Sequence, residues 1–319
     1  MTESIPRRRP ILSLAVHARD NGDREKLERA LVELTQLYPG DEFQFESRYG
    51  QTVLCGMSTL ELKEICDRLI LKYNIPLDVD DPSVMYLETI CKPAEAEGKY
   101  IRQVGGSGNY GHCKIRLSPS VAGNDYEFIN QIEAGVIPQH FIEPIDQGIR
   151  GALEDGILFG YPVIDVTATL YDGSYHDVDS NAMAFRIAGS IAAKEAARKA
   201  NPVLLEPMMS IEIVVPETSL GRILDDLSQR RGQIEAIECR TGLRTVRAIV
   251  PLVEMLEYEK QMLESRRGML DVTMRFARYE PVAHRNGAGG EEAGITADKP
   301  RGPRPLIGFT AAEPEIELE

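Results

Sequence analysis

The sequence predicts an α+β fold in which two ferredoxin-like split βαβ domains flank a middle domain of another kind. The first observation is that residues 10–88 follow the order strand, helix, strand, strand, helix, strand, which defines the ferredoxin-like unit. The second is that the same order returns at residues 206–282. The third is that residues 89–205 between them follow a different order, and that residues 283–319 form a separate tail.

Local signals predict each element of the first ferredoxin-like domain. Leucines at helical spacing, among them Leu27, Leu31 and Leu34, predict its first helix. Ser58, with Glu61 three residues later, is a capping box and predicts the start of its second helix. The predicted elements are a strand at 11–16, a helix at 23–38, a hairpin turning at 49–50, a helix at 59–73 and a strand around 79.

The second ferredoxin-like domain repeats these signals. Alternating apolar residues from Met209 to Val215 predict its first strand. Thr241-Gly242 between two apolar runs predicts a hairpin turn. The predicted elements are a strand at 209–215, a helix at 220–231, hairpin strands at 233–239 and 243–250, a helix at 252–267 and a strand at 270–279.

The middle region is predicted to contain strands at 100–104, 112–117 and 163–170 and helices at 141–154 and 181–200. The second helix is rich in alanine and glycine, so it can pack very close to a sheet. From Ala283 onward glycine, proline, alanine and charged residues dominate, which predicts a disordered tail. Its apolar cluster, Leu306–Phe309, fits either a short docking motif or a stretch of linker.

Composition indicates an ordinary globular protein, with 43% hydrophobic and 27% charged residues. With neither an apolar run of membrane-spanning length nor a signal peptide, the expected location is the cytoplasm, away from any membrane. The net charge of -14 argues against DNA and against indiscriminate nucleic-acid binding. Local basic patches remain candidates for RNA contact, namely Arg230, Arg231, Arg266 and Arg267, although each pair taken alone fits a solvated helix end better.

The five cysteines are dispersed and include no C-x-x-C pair. Reduced thiols in a reducing compartment are therefore expected. Neither a metal site nor a cofactor is predicted from them.

Two short polar motifs attract attention, YDGSYHDVDS at 171–180 and GGSGNYGH at 105–112. His176, Asp177 and Asp179 could form a metal or acid–base site, but no further ligand lies at metal-binding spacing. A short polar loop also leaves its side chains in solvent, where burial cannot tune their pKa values. Recognition of a polar partner fits better, because Tyr175 can stack and His176 can donate or accept; a plain surface turn is the alternative.

The glycine motif Gly106-x-Gly108-x-x-Gly111 matches the dinucleotide-binding pattern, but a strand follows it where that site requires a helix. A kinase loop is excluded because H-R-D and D-F-G are missing. The glycines are instead predicted to allow positive φ in an exposed connection, leaving backbone amides and Asn109 free to meet a partner. No G-x-x-x-x-G-K-[ST] occurs, so this chain is not expected to hydrolyse GTP or to be an enzyme.

Residues 10–282 resemble domains III, IV and V of bacterial elongation factor G. The segments that carry the resemblance occur in the order of that family. They are GMSTLEL at 56–62, the glycine motif at 105–112, GVIP at 135–138, GYPV at 160–163, GSYHDVDS at 173–180, PVLLEP at 202–207, LSQRRG at 227–232 and VPLVEM at 250–255.

The resemblance implies a ribosomal-protein-like middle domain, 89–205, with a left-handed βαβ crossover and a tip that enters the decoding centre of the ribosome. The domains at 10–88 and 206–282 would correspond to domains III and V. Expected partners are the rRNA of both subunits and the tRNA–mRNA duplex in the A site. Resemblance places these residues at the RNA: Gly106, Ser107, Gly108, Asn109, Tyr110, Gly111, His112, Tyr175, His176, Asp177, Val178 and Asp179.

Two departures from the family matter. Ser107 and Asn109 stand where the family usually has arginine and glutamine, so one charge that would seek phosphate is missing. The GTPase domain and domain II are not found in this sequence. The expected function is ribosome binding without GTP hydrolysis, alone or with a separate GTPase. The alternatives are a repurposed protein-binding module, or a fragment of a full-length GTP-dependent translocase.

Overall fold

The computed structural model of this protein describes residues 9–37, 43–48, 51–104, 107–240, 242–256, 258 and 271–282. The predicted turn at 49–50 and the tail at 283–319 lie outside these residues. So does most of the predicted helix at 252–267, of which 252–256 and 258 are described and helical. The described chain divides into two compact units, one containing 9–86 and 206–281 and the other 87–205.

The first half of unit one contains five strands and two helices among the described residues. They are β1 (Leu12–Ala18), α1 (Arg24–Leu37), β2 (Gln44–Arg48), β3 (Gln51–Gly56), α2 (Thr59–Leu71), β4 (Leu77–Val79) and β5 (Ser83–Val84). The main sheet has the antiparallel order β2-β3-β1-β4, and β5 also pairs with β1. This is the ferredoxin-like order, as predicted.

Both helices of this half follow from the sequence signals. Helix α1 buries Leu27, Leu31 and Leu34 in the core, which the predicted spacing required. Helix α2 begins after Ser58, whose Oγ accepts a hydrogen bond from the Glu61 N–H at 3.2 Å. The N-cap therefore satisfies one backbone donor that the first turn leaves without an intrahelical partner.

Unit two contains the middle domain. Its elements are β6 (Leu87–Ile90), β7 (Ala94–Val104), β8 (Ser107–Pro119), β9 (Tyr126–Asn130), α3 (Ile142–Glu154), β10 (Val166–Ser174), α4 (Ala182–Lys199) and the first four residues of β11 (Pro202–Pro216). The sheet has the order β7-β8-β10-β9, and β9 runs parallel to β10 with α3 between them in the chain. Strand β9 was missing from the sequence prediction. Cys113, Ile115 and Leu117 of β8 pack in the core with both helices.

Helix α4 packs unusually close to its neighbours, as its small residues predict. A Cβ on Gly98 of β7 would lie 1.9 Å from the Ala188 carbonyl oxygen, and a Cβ on Gly189 would lie 2.5 Å from the Ile145 carbonyl oxygen. Backbone atoms cannot move away as a flexible side chain can. Glycine is thus required at Gly98, where β7 contacts α4, and at Gly189, where α4 contacts α3.

The chain returns to unit one through the rest of β11, followed by α5 (Leu220–Gln229), β12 (Gln233–Arg240), β13 (Leu243–Pro251) and β14 (Asp271–Pro281). The strand order β12-β13-β11-β14 again has the ferredoxin-like connectivity. Gly242, between β12 and β13, has φ +80°, which a hairpin turn favours and glycine allows. None of the described helices is long and apolar enough to cross a membrane.

The cysteines divide by exposure. Cys55, Cys66 and Cys113 are buried, whereas Cys91 and Cys239 are exposed, and all five are free thiols. Burial raises the pKa of Cys55 and of Cys113 to about 12 and that of Cys66 to about 11. These three buried thiols therefore stay protonated and unreactive near neutral pH.

Candidate nucleic-acid interface

The two polar motifs meet at one end of the sheet in unit two. Strand β10 pairs with β8 so that Ser174 lies opposite His112, and the residues after Ser174 cross to the start of α4. We call residues 107–112 and 171–181 the tip. Most of the tip is strand, which corrects the predicted loops: β8 already begins at Ser107, and β10 continues to Ser174.

Asp179 joins the two halves of the tip. Its carbonyl oxygen accepts a hydrogen bond from the Tyr110 N–H at 2.8 Å, and its carboxylate Oδ1 accepts one from the Gly108 N–H at 3.2 Å. A Cβ on Gly108 would lie 2.6 Å from that carboxylate. A side chain at position 108 would therefore displace the Asp179 carboxylate, and φ at Gly108 is not positive, contrary to the sequence prediction.

A second junction ties the tip to the start of α4. The Asn181 amide donates from Nδ2 to Asn109 Oδ1 at 2.7 Å, and its own Oδ1 caps α4 by accepting from the Ala184 N–H at 2.9 Å. A Cβ on Gly111 would lie 2.4 Å from the Ala184 carbonyl oxygen, so this glycine too allows close packing. Asn109 is thus held in place by α4.

The aromatic side chains of the tip form a connected group. The Tyr110 and His176 rings are 4.2 Å apart between centroids and nearly perpendicular, at 73°. Tyr110 Oη lies 2.7 Å from Ser174 Oγ, which also lies 2.7 Å from His112 Nδ1. The His112 side chain is only 13% exposed, and burial lowers its pKa. His112, predicted as an RNA contact, is therefore mostly covered.

The side chains that the tip offers to solvent come from the second half. Tyr175, His176, Asp177 and Val178 are exposed, and Val178 is 91% exposed. The loop is shaped by a bond from the His176 N–H to Ser180 Oγ at 2.9 Å. This combination offers a ring for stacking, an imidazole for hydrogen bonding and an apolar side chain, which suits an unpaired or splayed base.

Cations on the open face of the sheet are mostly paired. Lys114 donates to Asp172 at 2.7 Å, and this hydrogen bond raises the pKa of Lys114 and lowers that of Asp172. Arg116 bonds Glu95 at 2.6 Å. Arg102 lies on the other face of the sheet, directly opposite Asn109 in the β7–β8 register, where it is exposed and has no ion pair with another described residue. Sequence reasoning missed it because the register of β7 on β8 was needed to place it at the tip.

The predicted basic contacts Arg230 and Arg231 make internal bonds. Arg230 donates to the Glu254 carbonyl oxygen at 2.8 Å and lies 4.5 Å from the Tyr258 ring centroid. Arg231 donates to both carboxylate oxygens of Glu206, at 2.7 and 2.9 Å. A role for this pair in RNA contact stays a prediction, and the geometry gives both a role in folding. Of the other predicted residues, Gly106, Arg266 and Arg267 lie outside the described residues.

The histidine and carboxylate side chains of the tip neither cluster as a metal site nor lie buried among the described residues. Among the described residues no group of three or more histidine, cysteine, aspartate or glutamate side chains could hold a metal ion. His176 and Asp177 are exposed, so neither lies in the water-excluded environment that enzymes use to tune an acid or base.

Comparison with known proteins agrees with this architecture. Family models match in order along the chain: elongation factor G domain III at residues 8–81, domain IV at 82–201 and the elongation factor G C-terminus at 203–286. The chain belongs to the elongation factor G family. The tip lies within the match to domain IV, and no GTPase-domain model matches.

A crystal structure of a protein from Thermus thermophilus is similar, with a TM-score of 0.66 and 37% sequence identity. The match covers 88% of this chain and 42% of the Thermus chain, so this chain spans less than half the length of that protein. The three matched domains relate this chain to translation elongation factors.

Proposed function

We propose that this elongation factor G-like chain binds the ribosome and inserts its tip into the A site of the decoding centre, without a GTPase of its own. It acts in the cytoplasm in translation elongation, recycling or their regulation, alone or with a separate GTPase. The observation that carries the proposal is the braced tip: Asp179 and Asn181 lock two separate segments together, and His176, Asp177 and Val178 project beyond them. A braced projection can probe a groove without losing much conformational freedom.

The RNA contacts that we propose follow from exposure. Tyr175 and His176 meet bases by stacking and hydrogen bonding, while the backbone around Gly108 and Asn109 meets the tRNA–mRNA duplex by shape. The net charge of -14 keeps non-specific affinity for RNA low, so local complementarity has to select the site.

Purified protein is expected to sediment with 70S ribosomes, and His176→Ala combined with Asn109→Ala is expected to weaken that binding about 10- to 100-fold. The reason is that stacking on one base contributes about 1–3 kcal/mol, and Asn109 also holds the hairpin against α4. Co-sedimentation over a concentration series measures the affinity, and cryo-EM of the complex shows the position of the tip.

The matched control is His17→Ala combined with Asn124→Ala, which removes the same two side-chain types from positions outside the tip. This control is expected to bind as the unmodified protein does. If the tip variant keeps both its affinity and its cryo-EM position, the tip has no part in binding. Recovery of non-ribosomal proteins alone in a pulldown would favour a repurposed binding module.

Arg102 is expected to contact an RNA phosphate. It would thereby supply the positive charge that the family usually has at the position of Ser107. Because each phosphate contact releases counterions, Arg102→Gln is expected to reduce the slope of log affinity against log salt by about 0.7 to 0.9. Ribosome binding between about 50 and 200 mM salt measures that slope. Arg116→Gln is the control, since its guanidinium is engaged by Glu95. Equal slopes for Arg102→Gln and the unmodified protein would exclude the contact.

A further inference from the structure

We propose that the Ser174 hydroxyl is a positioning group that links His112 to Tyr110 and thereby holds the ring on which His176 packs. The inference rests on the proposed function, because it assigns the orientation of an RNA-facing histidine to a chain of polar groups beneath it. Ser174 and His112 can position the His176 ring in this way without touching RNA themselves.

The geometry favours one direction of hydrogen bonding. Ser174 Oγ has a single proton and two partners at 2.7 Å, Tyr110 Oη and His112 Nδ1. On its other side His112 presents Nε2 to Glu97 Oε1 at 3.3 Å. A carboxylate favours a proton on the nitrogen that faces it, so Nε2 carries the hydrogen and Nδ1 accepts. Ser174 then donates to His112, and Tyr110 donates to Ser174.

The contact between His112 and Glu97 is electrostatic and not a well-aligned hydrogen bond. Nε2 is buried and makes no bond of good geometry among the described residues, although Glu97 Oε1 is within ion-pair distance. Burial lowers the pKa of His112, which agrees with a neutral imidazole that can accept from Ser174. The Glu97 carboxylate is half exposed and screened, so it selects the tautomer without locking the ring.

The effect on His176 follows from exposure. His176 lies in solvent, and its ring packs on the Tyr110 ring at a centroid distance of 4.2 Å. An exposed imidazole samples several rotamers unless its neighbour is fixed. Tyr110 is fixed at its hydroxyl end by Ser174 and at its backbone N–H by Asp179. The hydrogen-bonded residues Ser174 and Tyr110 therefore pre-organise His176 and reduce the conformational entropy that it loses on binding.

The test uses the full chain, histidine-labelled for NMR, in four variants. Ser174→Ala and Tyr110→Phe each remove one hydroxyl, and Ser174→Thr keeps the hydroxyl and is expected to rescue. Tyr126→Phe is the matched control, because it removes a tyrosine hydroxyl of the same unit that lies outside the tip and bonds Asp146 instead of Ser174. The readouts are the nuclear Overhauser contacts and ring-current shifts between Tyr110 and His176, together with the amide spectrum as a check of folding.

We expect Ser174→Ala and Tyr110→Phe to lose those contacts, to move the His176 shifts toward those of an unstructured histidine, and to weaken ribosome binding about three- to tenfold. Ser174→Thr and Tyr126→Phe should match the unmodified protein in both readouts. Unchanged contacts in both hydroxyl-deletion variants overturn the positioning role, whatever the ribosome shows. Lost contacts with unchanged ribosome affinity confirm the positioning role and count against the tip as the RNA-binding site.

Discussion

Glu88→Gln is expected to release the segment 157–161 and to destabilise unit two by about 3 kcal/mol or more. Glu88 lies in β6 with no exposed surface. Its Oε2 accepts from the Ile157 and Leu158 N–H groups at 2.8 Å, and its Oε1 accepts from the Phe159 and Tyr161 N–H groups at 2.9 and 3.2 Å. Glutamine replaces one acceptor by an NH₂ group, which would face two donors. Each charge-assisted bond contributes about 1.5–3 kcal/mol, so two are lost and their donors are left buried.

Hydrogen exchange measures this effect locally. The amides of 157–159 and 161 should exchange about 100-fold faster in Glu88→Gln, since about 1.4 kcal/mol corresponds to each factor of ten. Glu95→Gln is the control, because Glu95 is half exposed and its pair with Arg116 is worth at most about 1 kcal/mol. Retained protection of these amides in Glu88→Gln would mean that the carboxylate does not hold the segment.

Much of the fold could be predicted because its signals are local. The capping box Ser58–Glu61, the alternation in β11 and the hairpin glycine Gly242 each act within a few residues, and the structure has each where it was predicted. Strand β9 was missed because its partner β10 is about 40 residues further along the chain. A parallel strand has no tight turn beside it to reveal it in the sequence.

The sequence indicated both segments of the tip, but it did not indicate the contacts that individual residues make there. The sequence predicts positive φ at Gly108 and Gly111, but neither has it; a Cβ there would meet the Asp179 carboxylate and the Ala184 backbone, about 70 residues away. Ser174 and Asn181 were not selected, although an asparagine immediately before a helix is a recognisable N-cap signal. Asn181 could therefore have been found from the sequence, but Ser174 required the register of β10 on β8.

Arg231→Met is expected to destabilise unit one by about 3–5 kcal/mol. Its guanidinium binds both oxygens of Glu206, whose side chain is 4% exposed, and its Nε donates to Glu254 at 3.0 Å. These bonds, that to Glu206 above all, raise the pKa of Arg231, so the cation persists at any pH at which the fold exists. Removing it leaves the Glu206 charge buried without its cation, which is the costly way to break a buried pair. Calorimetric unfolding and hydrogen exchange of β11 and α5 measure the loss.

Two further variants test whether the loss of stability in Arg231→Met arises because the charge pair is buried. Arg247→Met also removes an arginine that bridges two carboxylates, Glu212 and Glu238, but all three side chains are about 37–45% exposed, so a cost below about 1 kcal/mol is expected. Combining Arg231→Met with Glu206→Met removes both buried charges and should recover part of the stability, because the desolvation cost disappears with them. If the double variant is as unstable as the sum of the two single variants, the pair is uncoupled. The left-handed φ of +60° at Arg231 would then remain as the feature to test, through Arg231→Gly.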